Sequence, residues 1–168
     1  MERAYAAYFQ RNPNYEHVAR LSCDCFQYNI PMSTVNTVSK AGRTYAIFVH
    51  SGVPIEGTRF FTQNEDLFQV GMFERPMGYS VRPHQHTEQD VQIHTFAEFL
   101  YIERGKVRVT VFDDAWEVLA EEDMEAGSFL LFLSGGHALT VLEPARILEV
   151  KQGPYPGDGD AKIFRDAP

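Results

Sequence analysis

The sequence predicts an all-β fold, either a sandwich or a barrel built from short strands. Short runs rich in β-branched and aromatic residues recur along the chain, and turn signals separate them at intervals of roughly ten residues. Apolar and polar side chains alternate within several of these runs, as they do in strands that bury one face. At 168 residues, the chain fits a single domain.

Nine segments carry the strand pattern, and turn-forming residues lie between them. Arg104-Gly105 is one such break, and it predicts a hairpin between the fourth and fifth segments. The predicted strands cover residues 44–50, 67–73, 78–86, 96–103, 106–112, 115–120, 128–133, 137–142 and 146–151.

The flanks of the strand-rich region differ from it in composition. Residues 1–40 are predicted to form an N-terminal extension with a short helix over residues 2–11, which Asn12-Pro13-Asn14 would end. The β-barrel is expected over residues 41–152. Residues 153–168 are rich in glycine, proline and aspartate, which indicates a tail that lies over the surface.

Charge and composition indicate which kinds of partner and which cellular compartment to expect. The net charge is -8 and the basic residues are scattered, which argues against nucleic-acid binding. No apolar run reaches the roughly 18 residues that a membrane helix needs, and the first residues do not resemble a secretory signal. Cys23 and Cys25 are too close for an unstrained disulfide, which favours reduced thiols. We therefore expect a cytoplasmic protein.

A carboxylate stands among aliphatic residues in the segment before Gly105. Glu98, Leu100 and Ile102 share one face of the predicted strand, and that face is expected to point into the barrel. A buried carboxylate is costly unless it is paired or bound to a metal ion. Glu98 is therefore a candidate metal ligand.

Three histidines accompany Glu98. His84 and His86 stand two residues apart at the end of a predicted strand, so both imidazoles can reach one ion. His137 opens a later strand directly after a glycine-rich turn. Three imidazoles and one carboxylate suit iron, manganese, nickel, copper or zinc better than magnesium or calcium.

These residues stand in a pattern that resembles the two motifs of the cupin superfamily. In the first, five residues separate Gly78 from His84-Gln85-His86, and six separate Glu98 from Gly105. In the second, Gly127 is followed after five residues by Leu133-Ser134-Gly135 and then by His137. The resemblance covers about residues 78–150.

The resemblance implies a double-stranded β-helix, that is, a cupin or jelly-roll barrel. It implies one divalent transition metal ion (iron, manganese, nickel or zinc) held by His84, His86, Glu98 and His137. It also implies a homodimer. The segments 135–137 and 149–155 look like those of small bacterial cupins encoded among genes for polysaccharide or unusual-sugar biosynthesis.

The chain departs from the family pattern in the spacer between His86 and Glu98, which has eleven residues and is longer than usual. Two residues in this spacer, Glu88 and His94, are rival ligands. Glu98 is favoured because it keeps the six-residue distance to Gly105 and the inward phase. Leu133 also replaces the usual proline of the second motif.

The leading functional hypothesis is a metal-dependent enzyme that isomerises or epimerises a small, polar, sugar-like metabolite. The alternatives are a non-haem iron dioxygenase and a non-catalytic cupin that binds a metabolite or a metal. His94 is a candidate acid-base group. Candidate side chains for gripping the metabolite are Gln69, Tyr79, Arg82 and Lys151.

Overall fold

The computed structural model describes residues 34–154, 157, 159 and 162–165. These residues are rich in antiparallel strands, which confirms the predicted all-β class. Within the described part of the chain, no helix is long and apolar enough to cross a membrane. The strands are β1 (Val35–Lys40), β2 (Arg43–Val49), β3 (Thr58–Phe60), β4 (Gly71–Phe73), β5 (Glu98–Phe112), β6 (Val118–Glu125), β7 (Phe129–Phe132) and β8 (Gly136–Lys151).

Six of the strands form one antiparallel sheet around β5. The strand order is β1-β2-β7-β5-β6, and β8 pairs with β5 as well. The first part of β5 pairs with β7 and its second part pairs with β6, while β8 runs beside both parts. Strands β3 and β4 form a separate two-stranded sheet. Strand β5 is therefore the central strand on which the other segments are arranged.

The sheet curls strongly along β5. His137 pairs with Val111, near one end of β5, yet its imidazole lies 3.1 Å from the carboxylate of Glu98 at the other end. A straight strand from residue 98 to residue 111 would span about 40 Å. Strands β5 and β8 form a long antiparallel pair, the β5–β8 ribbon. Its two ends can meet only because the sheet coils back on itself. This curl is compatible with a barrel.

Gly105 is the point at which β5 bends. The predicted hairpin at this glycine is wrong, because β5 continues through it and β8 likewise continues past Pro144. The pairing of β5 with β8 shifts register three times between Ile102 and Val107, and such bulges bend a strand. Gly105 has φ +82°, and a Cβ atom there would lie 2.4 Å from the carbonyl oxygen of Pro144.

Both faces of the sheet carry hydrophobic clusters. Along β7 and over residues 46–49 of β2, side chains alternate between the two clusters, which explains why these stretches are apolar throughout. Leu100 and Ile102 are buried in the first cluster, together with Val107, Val109 and Val111. The predicted inward face of β5 is therefore confirmed.

Several other strand predictions need correction. The predicted strand 78–86 is wrong, since residues 74–97 contain no strand and residues 72–96 are exposed throughout. This segment alternates well enough to look like a strand, but no strand of the described chain pairs with it. The predicted strand 67–73 is reduced to β4, and β1 and β3 were not predicted.

The remaining sequence expectations concern residues at the chain's start. The sheet begins at Val35, before the expected boundary at residue 41. The predicted helix over residues 2–11 and the two cysteines, Cys23 and Cys25, lie outside the described residues.

Candidate functional site

Glu98 and His137 form a half-buried pair at the point where the curled sheet meets itself. The Nε2 atom of His137 lies 3.1 Å from Oε2 of Glu98, and the two side chains are 29% and 14% exposed. Phe132, which pairs with Glu98 across β5 and β7, stacks flat on the His137 ring with 3.8 Å between the ring centroids. The sheet thus fixes both polar groups at the end of the first hydrophobic cluster.

Lys151 is the third charged group at this point. It pairs with Glu98 in the β5–β8 register, and its Nζ lies 3.6 Å from Oε1 of Glu98 and 3.1 Å from Oε1 of Glu149. The hydrogen bond from His137 lowers the pKa of Glu98 most, and the charges of His137, Lys151 and Lys162 lower it further, while burial opposes them. Glu98 is therefore an ionised carboxylate at neutral pH.

A cavity of about 710 Å³ opens in front of the Glu98–His137 pair. Its walls come from the start and end of β5, the turn that follows β5, the start of β8 and the segment 162–165. Aromatic side chains make much of the apolar wall: Phe112 and Trp116 pack edge to face with 5.9 Å between ring centroids. The volume suits a small-molecule ligand.

The turn after β5 supplies two acidic residues to this cavity, and both are paired. The side chain of Asp113 accepts hydrogen bonds at Oδ1 from the backbone N–H groups of Ala115 and Glu117, each at 2.9 Å, while Oδ2 binds Lys40. The pKa of Asp113 is lowered, most of all by the hydrogen bond from Lys40. Asp114 pairs with Arg43 at 2.7 Å. Asp113 therefore holds the turn together.

His84 and His86 lie on the exposed segment between β4 and β5. Their ring centroids are 5.2 Å apart. The Nδ1 atom of His84 lies 2.9 Å from the carbonyl oxygen of Arg82. When Nδ1 donates to that oxygen, the neutral ring presents its lone pair at Nε2, which is the arrangement usual for metal-binding histidines.

The four predicted metal ligands thus occupy two places. The Glu98–His137 contact of 3.1 Å is a hydrogen-bonded pair of a carboxylate and an imidazole. The described residues contain no group of three or more His, Cys, Asp or Glu side chains arranged to hold a metal ion. Of the four predicted ligands, the structure therefore brings together Glu98 and His137, and it leaves His84 and His86 as a separate pair.

The candidates for binding the metabolite, and the rival ligands, lie partly at the Glu98–His137 pair and partly elsewhere on the surface. Of these residues, Lys151 lies beside Glu98. The amide of Gln69 donates to the backbone oxygen of Gln63, and the guanidinium of Arg75 lies over the ring of Tyr79. The remaining candidates from the sequence have exposed side chains that do not line the cavity: Gln69, Tyr79, Arg82, Glu88 and His94.

Some cavity residues were not predicted from the sequence. Asp113 looked like part of a turn, and the contribution of Lys162 and Arg165 had no local signal. Trp116 carried a signal only as the single tryptophan of the chain, and its contact with Gly136 appears only in the structure. A Cβ atom at Gly136 would lie 2.7 Å from the Trp116 ring, so the glycine makes room for the indole.

Comparisons of the chain with protein-family models, with curated proteins and with solved structures gave no match. The candidate site is defined by its own geometry. It consists of a half-buried Glu98–His137 pair in an aromatic-lined cavity, with Lys151 beside the carboxylate. The His84–His86 pair lies on an exposed segment of the same chain.

Proposed function

We propose that this chain is a metal-binding cupin that acts on a small polar metabolite. The metal would be a divalent transition ion, held by His84, His86, Glu98 and His137. The observation that carries the proposal is the meeting of Glu98 and His137, which come from opposite ends of the β5–β8 ribbon.

The chemistry of the donor atoms supports a transition metal. An ionised carboxylate and an imidazole nitrogen lie 3.1 Å apart, and both are donor types that divalent transition metals accept. Lys151 lies on the other carboxylate oxygen of Glu98, so it orients this group while leaving Oε2 toward His137. His84 already has its Nδ1 engaged by a backbone carbonyl, which directs Nε2 toward a further partner.

The cavity supports the metabolite half of the proposal. Its volume of about 710 Å³ and its mixture of aromatic and charged walls suit one compact polar molecule. A bound divalent ion would polarise a carbonyl or hydroxyl oxygen of that molecule. We propose isomerisation or epimerisation as the reaction, with the metabolite oriented by the residues around the Glu98–His137 pair.

Metal binding is tested by titrating the full metal-free chain with Zn²⁺, Mn²⁺, Ni²⁺ and Fe²⁺ and measuring stoichiometry and affinity. Wild type should bind one equivalent of at least one ion. Glu98→Gln and His84→Ala should each weaken binding by at least about tenfold, because each removes a ligand or its charge. His50→Ala is the matched control, since His50 pairs with Glu122 on β6 and does not line the cavity.

Two results would contradict the ligand assignment. A wild-type chain that binds none of the four ions overturns the metal proposal. Loss of binding in Glu88→Gln or His94→Ala, with His84→Ala unaffected, would transfer the ligand role to the rivals.

The reaction class is tested with the metal-loaded chain in D₂O. Isomerisation or epimerisation transfers a proton at carbon, so deuterium should enter the carbon next to the carbonyl of a reactive sugar. This exchange should proceed without oxygen. Oxygen consumption coupled to substrate loss would instead identify a dioxygenase.

A further inference from the structure

Trp116, the single tryptophan of the chain, lies in the turn between β5 and β6 with a backbone conformation that is unusual for its side chain. Its φ is +64°, in the left-handed region that favours glycine and makes a bulky residue a clear outlier. Among the described residues, the other non-glycine residue with positive φ is Ala41, whose side chain is a single methyl group. Bulky residues persist in this region only where the surrounding structure holds them, and they cluster at ligand sites. The turn therefore keeps an indole at a position where glycine would be less strained.

Hydrogen bonds of the turn hold Trp116 in this conformation. Its N–H donates to the backbone oxygen of Asp113 at 3.0 Å, and the N–H of Asp113 donates to the backbone oxygen of Glu117 at 3.0 Å. The Asp113 carboxylate accepts hydrogen bonds from the N–H groups of Ala115 and Glu117, on either side of Trp116. Its other oxygen binds Lys40 of β1. The position of Trp116 is therefore fixed by its neighbours in the turn.

The indole lies against the start of β8 and forms part of the cavity wall. A Cβ atom at Gly136 would lie 2.7 Å from the Trp116 ring, so the glycine lets the ring approach the strand. The ring of Phe112 packs edge to face beside it. Trp116 is only half-buried and lines the cavity, so its apolar surface is accessible to a ligand.

The charged side chains of the described cavity wall are balanced. Besides His137, the wall contains three acidic and three basic residues: Glu98, Asp113, Asp114, Arg43, Lys162 and Arg165. Asp114 and Arg43 pair at 2.7 Å, yet their side chains remain 63% and 50% exposed, so the pair can accept and donate further hydrogen bonds. A wall without an excess of either sign suits an uncharged ligand, and hydroxyl groups can bind to both members of the pair.

We propose that the cavity binds an uncharged sugar ring and that Trp116 is the surface on which this ring packs. A sugar ring has an apolar face of C–H groups, whose weakly positive hydrogens suit the negative face of an indole. Its hydroxyl groups hydrogen-bond to Asp114 and Arg43. This inference rests on the proposed function in taking the cavity as the metabolite site, and it adds the charge of the ligand and its main contact.

The test measures sugar binding to the full chain by calorimetry, before and after addition of Zn²⁺. The probes are glucose, galactose and mannose, and each is compared with its uronate and its amino sugar. At least one neutral sugar should bind, and its two charged analogues should bind at least about fivefold more weakly, because a balanced wall does not compensate their charge. Since Trp116 is the single tryptophan, the bound sugar should also shift the tryptophan fluorescence and protect it from quenching by acrylamide.

Trp116→Gly separates a binding role from a structural one. Because glycine suits a φ of +64°, the midpoint of urea unfolding should stay within about 0.5 M of wild type, while the affinity for the sugar falls at least about tenfold. Trp116→Phe keeps an aromatic ring and should lose less affinity than Trp116→Gly. Phe73→Ala is the matched control, since Phe73 is 66% exposed in β4 and does not line the cavity. It should bind the sugar as wild type does.

Asp114→Ala tests the hydrogen-bonding pair. It should weaken binding of the neutral sugar by at least about threefold, because it removes an acceptor for the hydroxyl groups. Glu103→Ala is its control, since Glu103 pairs with Arg146 at 2.9 Å and does not line the cavity. This variant should retain the wild-type affinity.

The inference is overturned if none of the three neutral sugars binds, if the charged analogues bind as tightly, or if Trp116→Gly lowers the urea midpoint further than stated. Its failure is distinct from that of the proposed function. A sugar that binds equally well to Trp116→Gly and wild type keeps the cavity as the metabolite site and removes the role of Trp116. A chain that binds a neutral sugar through Trp116 but no metal ion keeps this inference and loses the metal centre.

Discussion

Strand β5 and the exposed segment 72–96 each carry part of the predicted metal site, and the structure treats them differently. In β5 the inward side chains are packed into a hydrophobic cluster, and pairing with β6, β7 and β8 fixes the strand on both edges. In segment 72–96 all residues are exposed, and residues 74–97 contain no strand. Glu98 lies at the boundary between the two regions.

This difference shows how far backbone pairing determines a side chain's position. Glu98 and His137 are in contact because β5 and β8 are paired along their length and bend together. His84 and His86 are close to each other because they are two residues apart, and one backbone hydrogen bond holds His84. The positions of Glu98 and His137 are therefore set by the fold of the sheet, whereas the positions of His84 and His86 relative to each other are set by the local chain.

The largest expected effect comes from blocking the bend of β5. In Gly105→Ala, the new Cβ would meet the Pro144 carbonyl oxygen at 2.4 Å and the Ala145 Cα at 2.7 Å, in addition to the strain of a positive φ. We expect a loss of about 3–4 kcal/mol in the free energy of unfolding, measured by urea denaturation. The weakened bend should also separate Glu98 from His137.

Gly42→Ala is the control for this substitution. Gly42 has φ +78° in the turn between β1 and β2, but nothing lies within 4 Å of a Cβ placed there. It should cost only about 1 kcal/mol, which is the strain of the backbone conformation alone. Equal losses in the two variants would show that the approach of β8 to Gly105 does not determine the bend.

A matched pair of valines measures the contrast between the two regions directly. Val109 is 0% exposed within the β5 cluster, whereas Val91 is 68% exposed in segment 72–96. Val109→Ala should lower the free energy of unfolding by about 2–3 kcal/mol, because it removes buried methyl groups and leaves a cavity. Val91→Ala should change it by less than about 0.5 kcal/mol. A cost above about 1.5 kcal/mol for Val91→Ala would show that the segment is packed.

The sequence predicted the inward face of β5 because alternation of Glu98, Leu100 and Ile102 is a local property. It did not predict that β5 passes through Gly105, since a glycine with positive φ serves equally in a hairpin and in a bulge. Choosing between them needs the position of Pro144, about forty residues away in sequence. The failure at residues 78–86 has the same origin, because alternation cannot reveal whether a partner strand exists.

The sequence likewise predicted part of the candidate site. Glu98 and His137 were chosen by inward phase and by the cupin-like motifs, and the structure places them in contact. Lys151 was named as a ligand-gripping residue and lies beside Glu98. The cations of segment 162–165 were not predicted, since a tail of glycine, proline and aspartate gives no periodic pattern from which to place them.

The smallest expected effect concerns Asp113, which ties β1 to the turn after β5 through Lys40. Its pKa is lowered in the folded chain by the hydrogen bond from Lys40 and by the backbone N–H groups of Glu117 and Ala115. A lowered folded pKa stabilises the fold fully above the unfolded value of about 3.9, and this contribution is lost as the pH falls through the folded value. Asp113→Asn should therefore flatten the dependence of unfolding free energy on pH below about pH 5.

The asparagine keeps one oxygen for the two backbone donors of the turn but loses the charge that attracts Lys40. Urea denaturation of wild type and Asp113→Asn across pH 2–7 measures the change. Asp114→Asn removes a carboxylate that is 63% exposed and paired with Arg43, so at pH 7 it should alter the unfolding free energy by less than about 1 kcal/mol. If Asp113→Asn leaves the acid limb of the wild-type profile intact, then the contact between Lys40 and Asp113 does not stabilise the wall of the cavity.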